Sequence, residues 1–248
     1  MSRKNPKTHN RTKNRGGFPL FFAICISVLF LTTCGLEYTP YLEEVQAVSD
    51  EFSRVNERCV FENNPDNIPE NFLGYEIYYR FYDPTTIDNP DTDPSLIPTG
   101  SENRTVEQLT SSQFKYRRLA RATAPGQPID DTRPAIQILP AERNTSFNIT
   151  VNLDPETGAF TASYLSNSIS LVRHIQTTDT EEIVQEGFLP EDLSYEDEDI
   201  ENILPESYDD IIIGISFFVA VYGRFELSTE IYSLAKYIGY TELPYSPY

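Results

Sequence analysis

The alternation of apolar and polar residues along this 248-residue chain predicts a protein built mainly from β-strands. The clearest strand covers residues 75–82, where successive side chains would point to opposite faces. The first face consists of Tyr75, Ile77, Tyr79 and Phe81. The second face consists of Glu76, Tyr78, Arg80 and Tyr82. We expect the second face to be exposed, with Tyr78 and Tyr82 as a candidate interface for a protein partner. Tyrosine is also a good strand former, so the pattern alone does not separate these two roles.

Further strands are predicted on both sides of this one. They cover residues 43–48, 58–61, 114–119, 146–153, 159–164 and 169–175. The fourth and fifth of these would form a hairpin, because Pro155 and Gly158 supply the turn chemistry between them. Residues 211–222 are almost continuously hydrophobic, which is typical of a strand buried on both faces, and Gly223 is predicted to end it. Residues 228–243 would add one or two closing strands.

Three stretches interrupt the strand pattern. Four prolines within residues 83–101 predict a long loop. Residues 105–109 predict a short helix, with Asn103 or Thr105 as its N-cap. Residues 181–210 hold 13 Asp or Glu side chains and are interpreted as an acidic insert.

Two segments together resemble a fibronectin type III domain. Residues 73–80, Leu-Gly-Tyr-Glu-Ile-Tyr-Tyr-Arg, are similar to strand C of that family. Residues 217–223, followed by Ser228 and Ser233, are similar to its strands F and G. The chain has no Trp, whereas the family usually places one on strand B, so Phe61 would have to fill that volume.

The resemblance implies an all-β fold, an immunoglobulin-like or fibronectin type III-like β-sandwich, although an unrelated β-sandwich satisfies the same pattern. A signal-peptide helix is expected to precede it. The sandwich would occupy residues 43–248. Because the family's domain is about half this length, insertions are expected at about residues 83–134 and 154–210.

The N-terminal region has the layout of an exported signal peptide. Six cations and no carboxylate precede an apolar run at residues 18–33. As a helix this run would be about 24 Å long, shorter than the hydrocarbon layer of about 30 Å. Residues 30–35, Phe-Leu-Thr-Thr-Cys-Gly, resemble the lipobox of bacterial lipoproteins, although Thr33 replaces the usual Gly, Ala or Ser. The resemblance implies that Cys34 is acylated and becomes the mature N-terminus.

Acylation at Cys34 would divide the chain into a signal peptide at residues 1–33, a lipidated tether at 34–42 and the extracytoplasmic domain. The protein would be located in a bacterial cell envelope. The outer membrane is favoured over the inner membrane because residue 35 is Gly35, whereas an Asp directly after the acylated Cys is an inner-membrane retention signal in some bacteria. Two alternatives stay open, namely an uncleaved signal anchor with an ordinary Cys34, and a cleaved secreted protein. Both the acylated protein and the uncleaved signal anchor would keep the domain outside the cytoplasm and attached to a membrane.

Charge excludes nucleic acid as a partner. Removal of residues 1–33 takes away six of 19 cations and none of 38 anions, so the mature chain has 13 cations and a formal charge of −25. Phosphate binding needs clustered Lys and Arg. One basic cluster exists, which we expect to neutralise the chain's own carboxylates or, as an alternative, to dock an acidic partner. It consists of Lys115, Arg117, Arg118, Arg121 and Arg133.

Catalytic motifs are sparse in the mature chain. His174 is its single histidine, which excludes His-rich zinc sites, and we expect it on a strand surface. Cys59 would have no cysteine partner and is expected to be a buried apolar residue. An acidic cluster could gather calcium through carboxylate oxygens but lacks the spacing of a calcium loop, so a solvated loop is the simpler interpretation. It consists of Glu196, Asp197, Glu198, Asp199 and Glu201.

These observations favour a non-catalytic binding or structural lipoprotein of the cell envelope, with no cofactor and no bound metal. Its partners would be the membrane, through the lipid, and a protein in the envelope or outside the cell. The alternatives are an envelope hydrolase that uses two carboxylates, and a calcium-responsive adhesion module.

Overall fold

A computed structural model describes residues 41–46, 48–100, 104–124, 127, 130–176, 183–189, 192–194, 197–200, 203, 211–226 and 229–245. All of them belong to the second of two units in the chain, Pro40–Tyr248. The predicted signal peptide and Cys34 lie outside the described residues.

The described residues form strands and one short helix. In chain order these are β1 Val48–Ser49, β2 Arg58–Glu62, β3 Phe72–Tyr82, α1 Val106–Leu109, β4 Arg117–Arg118, β5 Ala120–Arg121, β6 Ile136–Gln137, β7 Asn148–Leu153, β8 Phe160–Tyr164, β9 Asn167–Gln176, β10 Ile183–Glu186, β11 Ile211–Phe225, β12 Thr229–Tyr232 and β13 Lys236–Tyr245. The predicted all-β class is therefore confirmed.

The strands form two antiparallel sheets. The first sheet has the order β1-β2-β7-β8-β9-β10, and β5 also pairs with β9. The second has the order β12-β11-β3-β4, with β13 on β11 and β6 on β3. Between β4 and β5 the chain passes from the second sheet to the first at Leu119, whose side chain is fully buried.

The inner faces of the two sheets pack against each other in one aromatic core. Phe160 of the first sheet lies 5.3 Å from Phe217 of the second, measured between ring centroids. Phe61 packs edge-on against Tyr75 at 5.3 Å, so Phe61 is a core residue, as the missing Trp led us to expect. Edge-to-face pairs of this kind are a favourable arrangement for aromatic rings.

The outer face of the second sheet is covered as well, which contradicts the prediction that Tyr78 and Tyr82 are exposed. Both side chains are buried. The physical reason for Tyr78 is that α1 and the residues after it fold back over β3 and β11 and form a second apolar cluster with it. Tyr82 lies over Gly214, where a side-chain carbon would come within 2.1 Å of its ring. Neither tyrosine offers an exposed surface to a partner.

Strand boundaries differ from the predictions at several points. The strand predicted at residues 43–48 overlaps β1 at residue 48 alone. Within the one predicted at 114–119 only the two-residue β4 is found, and β5 follows just beyond it. Strand β10 lies in the predicted acidic insert. Gly223 does not end β11, which continues to Phe225. Glycine is required there because a side-chain carbon would lie 2.2 Å from the main-chain oxygen of Asn71.

Candidate functional site

A cleft lies where β3 and β4 meet the loop after α1 and the acidic insert. Its volume is about 570 Å³, which falls within the range of about 300–1,000 Å³ typical of small-molecule sites. We call it the cleft. It is lined by Arg80, Phe81, Thr110, Ser111, Ser112, Gln113, Lys115, Tyr116, Arg117, Glu198, Asp199 and Ile203.

The loop after α1 forms one wall of the cleft. Thr105 caps the helix, since its hydroxyl accepts a hydrogen bond from the Gln108 main-chain N–H at 3.2 Å. The loop then closes on itself through the Lys115 N–H, which donates to the Ser111 carbonyl at 2.8 Å, and Lys115 adopts a left-handed backbone with φ of 55°. This fold exposes Lys115, which lines the cleft, and buries its neighbour Tyr116.

Tyr116 fixes this wall to the sheet. Its hydroxyl lies 2.6 Å from the Ser216 hydroxyl of β11, and its ring packs edge-on against Phe218 at 5.1 Å. Burial raises the pKa of Tyr116 well above its ordinary value, so the phenol stays protonated. The loop is therefore held by a neutral buried hydrogen bond.

Three cations line the cleft. Arg80 Nη1 donates to the Ser95 carbonyl at 2.5 Å, and burial lowers the pKa of Arg80, which remains charged as guanidinium groups do in proteins. Arg117 Nη2 donates to Glu198 Oε2 at 2.7 Å. Lys115 forms no ion pair with any of the described residues.

Two carboxylates from the acidic insert face these cations. Glu198 pairs with Arg117, as given above. Asp199 accepts a hydrogen bond from the Tyr79 hydroxyl at 2.5 Å and lies 3.1 Å from Arg173 Nη1. Both carboxylates are thus engaged by donors.

Arg173 anchors the acidic insert to β9. Its side chain is fully buried and also reaches Asp197 at 3.2 Å. Its Nε donates to the Gly187 carbonyl at 2.6 Å, and Nη2 donates to the Asp192 carbonyl. Desolvation raises the pKa of Asp197, and the backbone N–H of Ser194 and the guanidinium oppose that rise. A buried charge of this kind is stable only when paired and hydrogen-bonded.

The predicted acidic cluster is therefore not a solvated loop where the structure describes it. Asp197 and Asp199 bind Arg173, and Glu198 binds Arg117. Glu196 and Glu201 lie outside the described residues. Among the residues the structure covers, no group of three or more His, Cys, Asp or Glu side chains is arranged to hold a metal ion.

The basic cluster predicted from the sequence does not gather at one point. Arg133 binds the fully buried Glu76 through two donors at 2.6 Å and Glu230 at 2.8 Å. Arg118 pairs with Asp131. Together with Arg117, these pairs confirm that cations of the cluster neutralise the chain's own carboxylates. Arg121 instead donates to the Ala135 carbonyl at 2.6 Å.

His174 and Cys59 lie away from the cleft lining. His174 is half-buried rather than on an open surface, and its Nδ1 lies 3.8 Å from Asp131. Burial lowers its pKa, with Asp131 acting in the opposite direction. Cys59 is fully buried, as predicted.

Comparisons with protein-family models, curated proteins and solved structures gave no match to this chain. Within the described part of the chain, no helix has the length and apolar character needed to cross a membrane.

Proposed function

We propose that the protein is a lipid-anchored, extracytoplasmic binding module of a bacterial cell envelope that does not act as an enzyme. The anchor is Cys34, predicted from its position behind a basic leader and an apolar run. The outer membrane is the favoured location. The binding site is the cleft.

The proposal rests on the ion pairs and hydrogen bonds of the two carboxylates in the cleft. A glycosidase of the usual kind needs one carboxyl group that gives a proton and a second that acts as nucleophile or base. Here Glu198 is held by Arg117 at 2.7 Å, and Asp199 is held by Arg173 and by the Tyr79 hydroxyl. Asp199, whose side chain is only 3% exposed, is engaged in holding the structure, so Glu198 has no second unengaged carboxylate beside it in the described lining of the cleft. The cations and hydroxyls of the lining are suited to bind a ligand.

We also propose the finer fold class, a fibronectin type III-like sandwich. Immunoglobulin-type sandwiches pair strands C, F and G in one sheet and A, B and E in the other. The order β3-β11-β13 fits the first set, and β1-β2-β7 fits the second. Strands β8 to β10 would then be an added meander between E and F, which accounts for the extra length after residue 154.

Site-specific photo-crosslinking in cells tests the binding role. Gln113, which lines the cleft, is replaced by p-benzoylphenylalanine in the full-length chain. Val55, an exposed residue at 88% that does not line the cleft, is the control position. We expect an adduct with an envelope component from position 113 and none from position 55. Equal labelling from both positions, or turnover of a glycan or ester by the purified protein, would overturn the proposal.

A further inference from the structure

The charges that line the cleft are unequal. Arg80, Lys115 and Arg117 face Glu198 and Asp199. Asp199 is committed to Arg173, and its side chain is only 3% exposed. Glu198 is then the one carboxylate of the lining that is left to balance these cations, and it pairs with Arg117. Asp93, outside the lining, acts on Arg80, so Lys115 has no carboxylate partner among the described residues of the cleft. A local excess of positive charge on a chain of net charge −19 indicates a site for an anion.

The pair between Arg117 and Glu198 is suited to exchange. Its side chains are 32% and 41% exposed, whereas Arg173 and Asp199 are 0% and 3% exposed. Exposed ion pairs contribute little to stability because water screens them. A carboxylate from outside can therefore replace Glu198 on Arg117 without disturbing the buried pair.

The hydroxyl groups of the cleft favour a ligand that itself carries hydroxyls. The Thr110 hydroxyl donates to the Val106 carbonyl at 3.0 Å, and the Ser111 hydroxyl donates to the Gln108 carbonyl at 2.7 Å. Each oxygen keeps the capacity to accept a hydrogen bond from a ligand. Gln113 adds an amide that both donates and accepts.

We propose that the cleft binds a small hydroxylated carboxylate, such as an acidic sugar, whose carboxylate takes the place of Glu198 on Arg117. Lys115 supplies a second positive charge, and the hydroxyls of Thr110 and Ser111 accept from the sugar hydroxyls. Glu198 is an internal competitor for this position. The inference rests on the proposed binding function and names its ligand class.

Calorimetry with the purified full-length protein tests the ligand class. The probes are D-galacturonate, its neutral counterpart D-galactose, and inorganic phosphate. We expect galacturonate to bind at least about tenfold more tightly than either of the other two, since charge-assisted hydrogen bonds are stronger than neutral ones and the cleft offers hydroxyl acceptors. Absence of galacturonate binding, equal binding of galactose, or tighter binding of phosphate would each overturn the assignment.

Two variants test the position of the carboxylate. Arg117→Gln should weaken galacturonate binding about tenfold, because the charge that receives the carboxylate is removed. Glu198→Gln should tighten it by about threefold or more, because the competitor is neutralised. Arg58→Gln is the matched control, since Arg58 forms an exposed ion pair with Asp50 at 2.8 Å and does not line the cleft. It should leave affinity unchanged.

The Glu198→Gln variant distinguishes the two possible roles of Glu198. If Glu198 only stabilised the fold, its replacement would give no gain in affinity for galacturonate. Unchanged or weaker binding by this variant contradicts the exchange of carboxylates. The proposed function is tested independently by crosslinking from position 113. An adduct there without galacturonate binding would leave the binding module standing and reject this ligand.

Discussion

At Cys59, burial sets the chemistry of a single side chain. The residue lies on β2 with no exposed surface. Desolvation raises the pKa of its thiol to about 12, and the carboxylates of Glu51 and Asp50 act in the same direction. The thiol therefore stays protonated at neutral pH, and thiols react as the thiolate.

We predict that iodoacetamide at pH 8 does not label Cys59 in the folded protein and labels it in urea. Peptide mapping by mass spectrometry separates this cysteine from Cys25 and Cys34. Labelling of the native protein at the rate of a free thiol would show that the site is open.

The same pKa shift has a consequence for stability at high pH. Well below about pH 8.5, the ordinary pKa of a thiol, the folded and unfolded thiols are both protonated, so burial of Cys59 takes nothing from the free energy of unfolding. Above that pH the unfolded chain releases a proton that the folded chain retains, and the free energy of unfolding falls by up to about 1.4 kcal/mol per pH unit. Cys59→Ala should remove this decrease in the free energy of unfolding between about pH 8.5 and 9.5, as measured by urea unfolding. An unchanged slope would contradict the shift.

At the scale of elements, Gly223 shows how tertiary contact overrides a local rule. The sequence predicts that this glycine ends the strand, yet β11 runs on to Phe225. The main-chain hydrogen bonding continues past the glycine, because the Arg224 N–H donates a hydrogen bond to the Asn71 carbonyl at 2.9 Å. The glycine is there to let that main chain approach, not to stop the strand.

We predict that Gly223→Ala lowers the free energy of unfolding by about 1–3 kcal/mol, the usual cost of forcing an extra carbon into a packed site. The clashing atom is a main-chain oxygen at 2.2 Å, which cannot turn away as a side chain can. Ile212→Val on the same strand, where the side chain is 49% exposed, should change stability by no more than about 0.5 kcal/mol. Urea unfolding measures both, and a neutral Gly223→Ala would refute the close approach.

Strands with a regular pattern could be predicted, and their surroundings could not. The alternation in β3 and the turn at Gly158, whose φ is 62°, were both readable from the sequence. The burial of Tyr78 was not, because its cover comes from Val106 and Leu109 in a stretch without regular alternation. Strand β10 was hidden by the acidic residues around it.

The cleft itself could not be predicted, because it brings together separate parts of the chain. Arg80 comes from β3, Lys115 from the loop after α1, and Glu198 from the acidic insert. The sequence identified Lys115 and Arg117 as basic and Glu198 as acidic. It gave no sign that Arg117 and Glu198 meet at 2.7 Å, since 81 positions separate them.

At the scale of the whole molecule, an acidic chain places several of its cations against its own carboxylates. Arg173 and Arg133 each bind two carboxylates, and Arg173 is fully buried. Among the described residues, this pairing and the hydrogen bonds between β10 and β9 attach the acidic insert to the first sheet. A calcium ion at Asp197 or Asp199 would have to displace a buried guanidinium.

We therefore predict that about 5 mM calcium raises the melting temperature by less than about 1 °C, and that chelation has no effect. Magnesium at the same concentration is the control for ionic strength. A calcium-specific rise of several degrees would favour the adhesion module instead.

The central claim is that a lipid on Cys34 holds this sandwich outside the cytoplasm, and the intact mass of the membrane-extracted protein tests it most directly. We predict a chain that begins at Cys34 and carries the added mass of its acyl groups. A chain that retains Met1, with Cys34 unmodified, would contradict the anchor and the envelope location inferred from it.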